Sequence, residues 1–349
     1  MKHINIPIFI PHLGCPNQCI FCNQRHISGS ESFSEETVKN EILKVLSTIN
    51  EKKCEIAFFG GSFTGIDRCL MIRLLDMAQE FVDAGKVSGI RMSTRPDYIS
   101  TEIIEILLKY SVSCVELGIQ TINDDVLRYL KRGHTFDDTK KAIGLLKEFK
   151  IPFVGQMMIG LPKASIKDEL ECASFIAENN ACGSRIYPTL VLANTDLATQ
   201  YFDGKYIPLS LDDAIERSAN VLKVFLNHNI PCIRIGLCDS ENLHSEKTFV
   251  AGPNSPSIGE MVKSKVYYDL IVDEIQTQNL KNKPIIIECP TGKTSQIVGQ
   301  RKKNINKLKN EFNIKSIKIL EKEYLEDFKV KVKEKEEDNA FKITWTTRI

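Results

Sequence analysis

The feature that most constrains this chain is a repeated alternation of short β-rich runs with amphipathic helical stretches. β-rich runs fall at about 4–10, 55–59, 90–93, 114–118, 153–159, 184–187 and 232–235. Helical periodicity lies between them, at about 34–49, 67–82, 101–109, 137–149, 167–178 and 211–227. Several helical stretches open with a capping residue followed by acids, as at Ser34 and Thr101. A βαβα succession predicts a parallel sheet. About six such units predict an α/β fold, a partial (β/α)6 TIM-like barrel.

The glycine-rich and polar motifs then fall in one place. GCPNQCIFC follows the first run and GGSFTG the second; STRPD and GIQT end the third and fourth; IGLP and YPT follow the fifth and sixth. Loops at the C-terminal ends of parallel strands build the active sites of such barrels, so one mouth should collect all six motifs. At 236–257 the pattern gives way to a stretch rich in Gly, Ser and Asn, with Pro253 and Pro256. A loop this long is functional or a junction, and a lid over the mouth is one reading of it. The division expected is a barrel domain over 1–258 and a small α+β domain over 259–349.

With 349 residues and a net charge of +1, the whole-chain balance implies no polyanionic partner, so any such signal is local. No apolar run approaches the roughly 18 residues that span a bilayer. The N-terminus runs straight into the cysteine motif and reads as a core strand rather than a signal peptide. Eight of the 11 cysteines are scattered singly, from Cys54 to Cys289, mostly in apolar surroundings. That usage fits a reducing, cytoplasmic setting with buried, inert thiols.

The other three cysteines, Cys15, Cys19 and Cys22, lie within eight residues. Thiolates this close can meet at one metal centre. Four would usually mean zinc; here there are three, with His12 and His26 as the nearest candidates for a fourth ligand. A structural Cys3His zinc site and a chance cluster of thiols are the bland alternatives. A cubane held by three thiolates leaves one iron open to a small molecule.

At these residues the sequence resembles the radical S-adenosylmethionine superfamily, whose signature is Cys-x3-Cys-x2-Cys with an aromatic before the last cysteine, here Phe21. The resemblance implies a [4Fe–4S] cluster on Cys15, Cys19 and Cys22. It implies reductive cleavage of S-adenosylmethionine to a 5′-deoxyadenosyl radical. FFGGSFTG is similar to the family's glycine motif, placing Gly60, Gly61 and Ser62 at the methionine end of the cofactor. STRPD, GIQT and RGHT imply cofactor contacts for Ser93, Gln120 and Arg132. RIYPT places Arg185 and Tyr187 near the adenosyl group or substrate. No side chain is assigned as a catalytic acid or base. Electrons would come from a flavodoxin or ferredoxin.

TRPDYI, VELGIQTINDDVL, KRGHT, GLP and RIYPTLVLANTDL follow, in order, the radical part of the Elongator catalytic subunit over about residues 1–235. That resemblance implies tRNA modification. The cysteine spacing departs from that subunit and is closer to the general family and to oxygen-independent coproporphyrinogen oxidase-like proteins. Past residue 260 nothing resembles an acetyl-CoA site.

Residues 281–320 hold ten Lys or Arg against Glu288 and Glu311. Their layout, a strand, a short helix, GQRK, a helix and a strand, resembles a KH RNA-binding module, whose GxxG loop clamps the nucleic-acid backbone. Gly299, Arg301, Lys302 and Lys303 would meet phosphate, with Lys302 standing where the second glycine belongs. Ile297, Ile305 and Leu308 would form its core. The function expected is radical modification of tRNA or rRNA, with RNA brought to the barrel mouth by this module. A radical enzyme on a small molecule or tetrapyrrole, and a non-catalytic RNA-binding protein with a structural cluster, are the alternatives.

Overall fold

In the computed structural model, the described residues are 4–10, 13–15, 18–23, 33–49, 54–237 and 248–335. His12, His26, Cys238 and the middle of the suggested lid lie outside them. Two compact units divide the chain, Met1–Gly259 and Glu260–Ile349.

The first unit is built on seven parallel strands: β1 (Ile4–Phe9), β2 (Cys54–Phe59), β3 (Gly89–Thr94), β4 (Val112–Gln120), β5 (Phe153–Ile159), β6 (Gly183–Pro188) and, after the short β7 (Val191–Leu192), β8 (Cys232–Ile235). Their order in the sheet is the order in the chain, β1-β2-β3-β4-β5-β6-β8, which is a curled, open half-barrel. Burial explains the sequence pattern. β2 reads CEIAFF and is buried along nearly its whole length, as strands covered on both faces must be. Helices pack outside, and their starts are set by side-chain caps. Asp67 accepts from the Leu70 amide, and Ser100 from that of Ile103. Thr135 and Ser165 form capping boxes with Asp138 and Asp168. Ser100, not Thr101, is therefore the cap of its helix, and Ser34 makes no side-chain capping bond.

Past β8, the strand β9 (Phe249–Ala251) pairs antiparallel with β7, so this end of the suggested lid is tied to the barrel. Leu190, Leu192, Leu237 and Phe249 form a small apolar cluster there.

The second unit has a three-stranded sheet of β10 (Ile285–Pro290), β11 (Ile317–Lys322) and β12 (Lys331–Glu334), in the order β11-β10-β12. β10 is parallel to β11 and antiparallel to β12. Two short helices, Thr294–Val298 and Lys303–Phe312, join β10 to β11. Ile297 and Leu308 are buried with Tyr267, Ile287 and Phe312. Ile305 is only partly buried; the buried member of that turn is Asn304. Its amide donates to the Ser264 carbonyl at 3.1 Å and hydroxyl at 3.0 Å, and to the carbonyls of Gln296 and Ile297. A polar side chain is tolerated there because its donors are satisfied inside the core.

Between the helices, Gly299 takes φ 74, and Arg301 and Lys302 take φ 52 and 62. Lys302 thus adopts the left-handed conformation that a glycine would hold without strain. Gly299 has its own reason, since a Cβ there would press on Asn304 at 3.0 Å.

Candidate active site at the barrel mouth

A cavity of about 280 Å³ opens at the C-terminal ends of the strands. The loop after β1 contributes Cys15, Cys19 and Cys22, and the loop after β2 contributes Gly60 and Gly61. Ser93 and Arg95 come from the end of β3, Glu116 and Gln120 from β4, Gln156 from β5, and Arg185 and Tyr187 from β6. The cysteine trio and most of the motif residues anticipated from sequence meet here. Ser62 does not line the cavity. Its buried hydroxyl bonds Thr94 Oγ1 at 2.9 Å and accepts from the Arg95 amide at 3.2 Å. The reason is packing: Thr64 Oγ1 and Thr94 Oγ1 are 2.6 Å apart, completing a hydroxyl cluster beneath the glycine loop. The backbone amide of Ser62, by contrast, faces the Cys15 thiol.

The glycines of this loop earn their place through backbone contact. A Cβ on Gly61 would lie 2.6 Å from the Leu13 carbonyl, and one on Gly14 only 2.2 Å from the Ser62 carbonyl. Small residues on both sides let the cysteine loop lie flat against the loop after β2.

Burial pushes the Cys15 thiol up, and the charges of Arg132 and Arg95 pull it back down. Arg132 Nη1 donates to Cys19 Sγ at 3.5 Å, while Nη2 donates to the Gly118 carbonyl at 2.8 Å. Gln120 closes β4 at φ 68, where the register with β5 shifts. That bulge turns its side chain to the cavity. The Gln120 Oε1, the Arg132 Nε and the Arg95 Nη1 are buried without a partner among the described residues.

Buried polar atoms left unpaired call for a ligand. This set holds an acceptor for hydroxyls and donors for an anion, beside three thiols. The donor set therefore fits a thiolate-held cluster and a zwitterionic cofactor. Among the described residues no three His, Cys, Asp or Glu groups close on the point where one metal ion would sit. A cubane engages each thiolate through a different iron, so its cysteines share a pocket without sharing a point.

The floor of the cavity is a charged belt that sequence reasoning did not find. Glu116 is fully buried. Arg185 reaches it at 2.7 and 2.8 Å, Arg91 at 3.2 Å and the Gln156 amide at 2.8 Å. Arg91 also pairs with Glu55 at 2.9 Å. Burial would lower the basicity of Arg185, but Tyr187 and Glu116 outweigh it and hold the guanidinium charged. The alternation of β2–β6 could have betrayed the belt, because Glu55, Arg91, Glu116, Gln156 and Arg185 interrupt otherwise apolar strands.

His134, two residues past Arg132, is buried but does not line the cavity. It is 3 % exposed, and neither ring nitrogen has a partner among the described residues. Burial, then the charge of Arg132, pushes it down to about 3. The sign follows directly. The folded chain keeps this imidazole neutral, while the unfolded chain takes a proton below about 6.5. Stability is therefore full above that pH and drains away as pH falls towards 3. Between pH 7 and 5 this one group should remove about 2 kcal/mol of unfolding free energy. Urea unfolding of the cluster-free chain at both pH values checks it. His134→Phe should flatten the difference by that amount, and an unchanged difference refutes the assignment.

An open parallel half-barrel with three cysteines and a glycine loop at its C-terminal mouth is the architecture of a radical S-adenosylmethionine protein. Residues 9–176 match the Radical SAM superfamily and residues 182–268 the Radical_SAM C-terminal domain; the chain belongs to this superfamily. An uncharacterized protein of Methanocaldococcus jannaschii is 29% identical over 247 residues, covering 67% of this chain and 74% of that one. The tRNA uridine(34) acetyltransferase of the same organism is 32% identical over 184 residues. The match covers 47% of this chain but only 34% of that enzyme. Human Elongator complex protein 3 is 33% identical over 140 residues, 39% of this chain and 26% of its own length. The chain thus spans about a third of that acetyltransferase and about a quarter of human Elongator complex protein 3. Among solved structures, the archaeal Methanocaldococcus infernus Elp3 shares the fold with a TM-score of 0.59 at 22% identity, over 80% of this chain and 64% of that one. Among the described residues, no helix is long and apolar enough to cross a membrane.

Proposed function

We propose that this chain is a radical S-adenosylmethionine enzyme that modifies RNA. The observation that carries the reading is the meeting of Cys15, Cys19 and Cys22 with unpartnered atoms of Gln120 and Arg132 in one cavity. The three thiolates would hold a [4Fe–4S] cluster. Gly60, Gly61, Ser93, Gln120 and Arg132 would hold S-adenosylmethionine, with Ser62 acting through its backbone alone. Bound together, the two groups would supply one-electron chemistry and hydrogen-atom abstraction from substrate. The protein's own work is to orient and to exclude water. The Glu116–Arg185 pair fixes a cation in the cavity floor, beneath the ring of Phe59 at 5.7 Å. Met158, Leu190, Leu192 and Leu237 supply an apolar wall. A flavodoxin or ferredoxin would deliver the electron.

RNA is favoured over a small molecule by the second unit together with the tRNA-modifying relatives. Its order of strand, helix, tight turn, helix and parallel strand is that expected of the KH-like segment. Arg301, Lys302 and Lys303 are exposed on the turn, and no acid pairs with Arg301 or Lys302 among the described residues. Reducing the anaerobically reconstituted protein with S-adenosylmethionine should yield 5′-deoxyadenosine. Nucleoside mass spectra of RNA from cells with and without the chain should differ by one modified nucleoside; identical spectra would remove the RNA reading.

Filter binding of tRNA at several salt concentrations tests the turn. Affinity should fall as salt rises, with a log–log slope that shrinks by roughly 0.7 for each phosphate contact removed. Arg301→Glu and Lys302→Glu should each weaken binding and flatten that slope. Salt-insensitive binding, or binding indifferent to both changes, rejects the assignment.

A further inference from the structure

We propose that Arg95 and Arg132 are a pair of positioning cations that raise the reduction potential of the cluster held by Cys15, Cys19 and Cys22. The inference rests on the cluster reading above and goes beyond it. Arg132 was anticipated only as a cofactor contact, and Arg95 had no assigned role.

The geometry gives Arg132 a role beside holding the cofactor, and gives Arg95 one of its own. The Arg132 fork is fixed at one end by the Gly118 carbonyl, 2.8 Å from Nη2. That leaves Nη1 on Cys19 Sγ at 3.5 Å. Gly118 makes room for this, because a Cβ there would stand 2.8 Å from Nη2. Arg132 is 8% exposed, and no carboxylate pairs with it among the described residues. Arg95 is 2% exposed. Asp97 takes its Nε at 2.9 Å and its Nη2 at 2.7 Å. The Tyr98 ring lies 5.7 Å from its guanidinium carbon, Nη1 is buried without a partner among the described residues, and Arg95 lines the cavity. Cys15 feels both cations, Arg132 more than Arg95.

Burying two guanidinium groups with spare donors is costly unless an anion completes their surroundings. A thiolate-held cluster is such an anion. Apart from Asp97, nearby groups leave the two charges standing: His134 is neutral, and Arg185 and Glu116 pair with each other. Among the described residues Asp97 is the one carboxylate in contact with either cation; it offsets part of the Arg95 charge and leaves that of Arg132 whole.

Reduction adds one electron, and so one negative charge, to the cluster. The electron comes from a one-electron donor of the flavodoxin or ferredoxin class, and nothing else is consumed. A fixed buried cation stabilises the more negative state more, and a donor on a ligand sulfur acts in the same sense. Arg132 does both, and Arg95 acts through space.

The test is a dye-mediated redox titration of the reconstituted full chain, followed by electron paramagnetic resonance. Arg95→Gln and Arg132→Gln should each make reduction about tenfold less favourable, a midpoint lower by about 59 mV. Arg95→Lys, which keeps the charge, should retain most of the wild-type midpoint. Asp97→Asn should move it the opposite way. Full cluster content with an unchanged midpoint in both Gln variants overturns the proposal. So does an Arg95→Lys variant as low as Arg95→Gln. A wild-type chain that takes up no iron overturns the parent reading first, and this one with it.

Discussion

Glu116→Ala should cost the barrel at least about 3 kcal/mol of unfolding free energy, seen as a lower urea midpoint at constant slope. The carboxylate is fully buried and shared by Arg91, Arg185 and Gln156. Removing it leaves the two guanidinium groups in unequal positions. Arg91 keeps Glu55 at 2.9 Å. Among the described residues, Arg185 keeps Tyr187 and the face of Phe59. A buried cation without its counter-ion is among the largest penalties a single substitution can impose. Removing both charges should therefore hurt less than removing one, so Glu116→Ala with Arg185→Met should be more stable than Glu116→Ala alone. Glu116→Gln should fall between, since it keeps an acceptor but not the charge. A loss below about 1 kcal/mol for Glu116→Ala would mean that water reaches the belt and shields it.

The same belt shows where sequence reasoning ran out. The seven barrel strands were legible because each is a short apolar run followed by a turn motif. Parallel pairing in chain order then leaves little choice of topology. The mouth was legible for the same reason, since C-terminal strand ends gather whatever the motifs carry. Individual side-chain directions were not legible. Ser62 sits in a glycine motif, yet its hydroxyl turns down onto Thr94, because direction depends on the hydroxyl cluster around it. Arg95 and Asp97 lie two residues apart in STRPD, and nothing in that spacing says that they bind each other and leave one donor over. Glu116 looks like a polar interruption of β4 until the curl of the sheet brings Arg91 and Arg185 to it from either side. In the second unit, periodicity favoured Ile305 as core, but the helix start rotates Asn304 inward to serve four acceptors.

Cys19→Ala should abolish the cluster and, with it, 5′-deoxyadenosine formation, by at least about a thousandfold, or about 4 kcal/mol in the barrier. Cys19 is the most buried of the three thiols and the acceptor of the Arg132 Nη1 donor. Its loss removes a ligand and strands a cation at one stroke. Cys15→Ala and Cys22→Ala should do the same to the chemistry, because two thiolates cannot hold a cubane against water or chelators. Cys69→Ser is the matched control: that thiol is exposed, does not line the cavity, and should leave iron, sulfide and product at wild-type values. The cluster-free forms of Cys15→Ala, Cys22→Ala and Cys69→Ser should melt close to the cluster-free parent, since none of these thiols is fully buried. Reconstitution followed by iron and sulfide assay, visible absorbance and product quantitation reads every arm. Parent protein that stays colourless and carries zinc, with Cys19→Ala losing that zinc instead, would turn the trio into a structural metal site and leave the mouth without its radical chemistry.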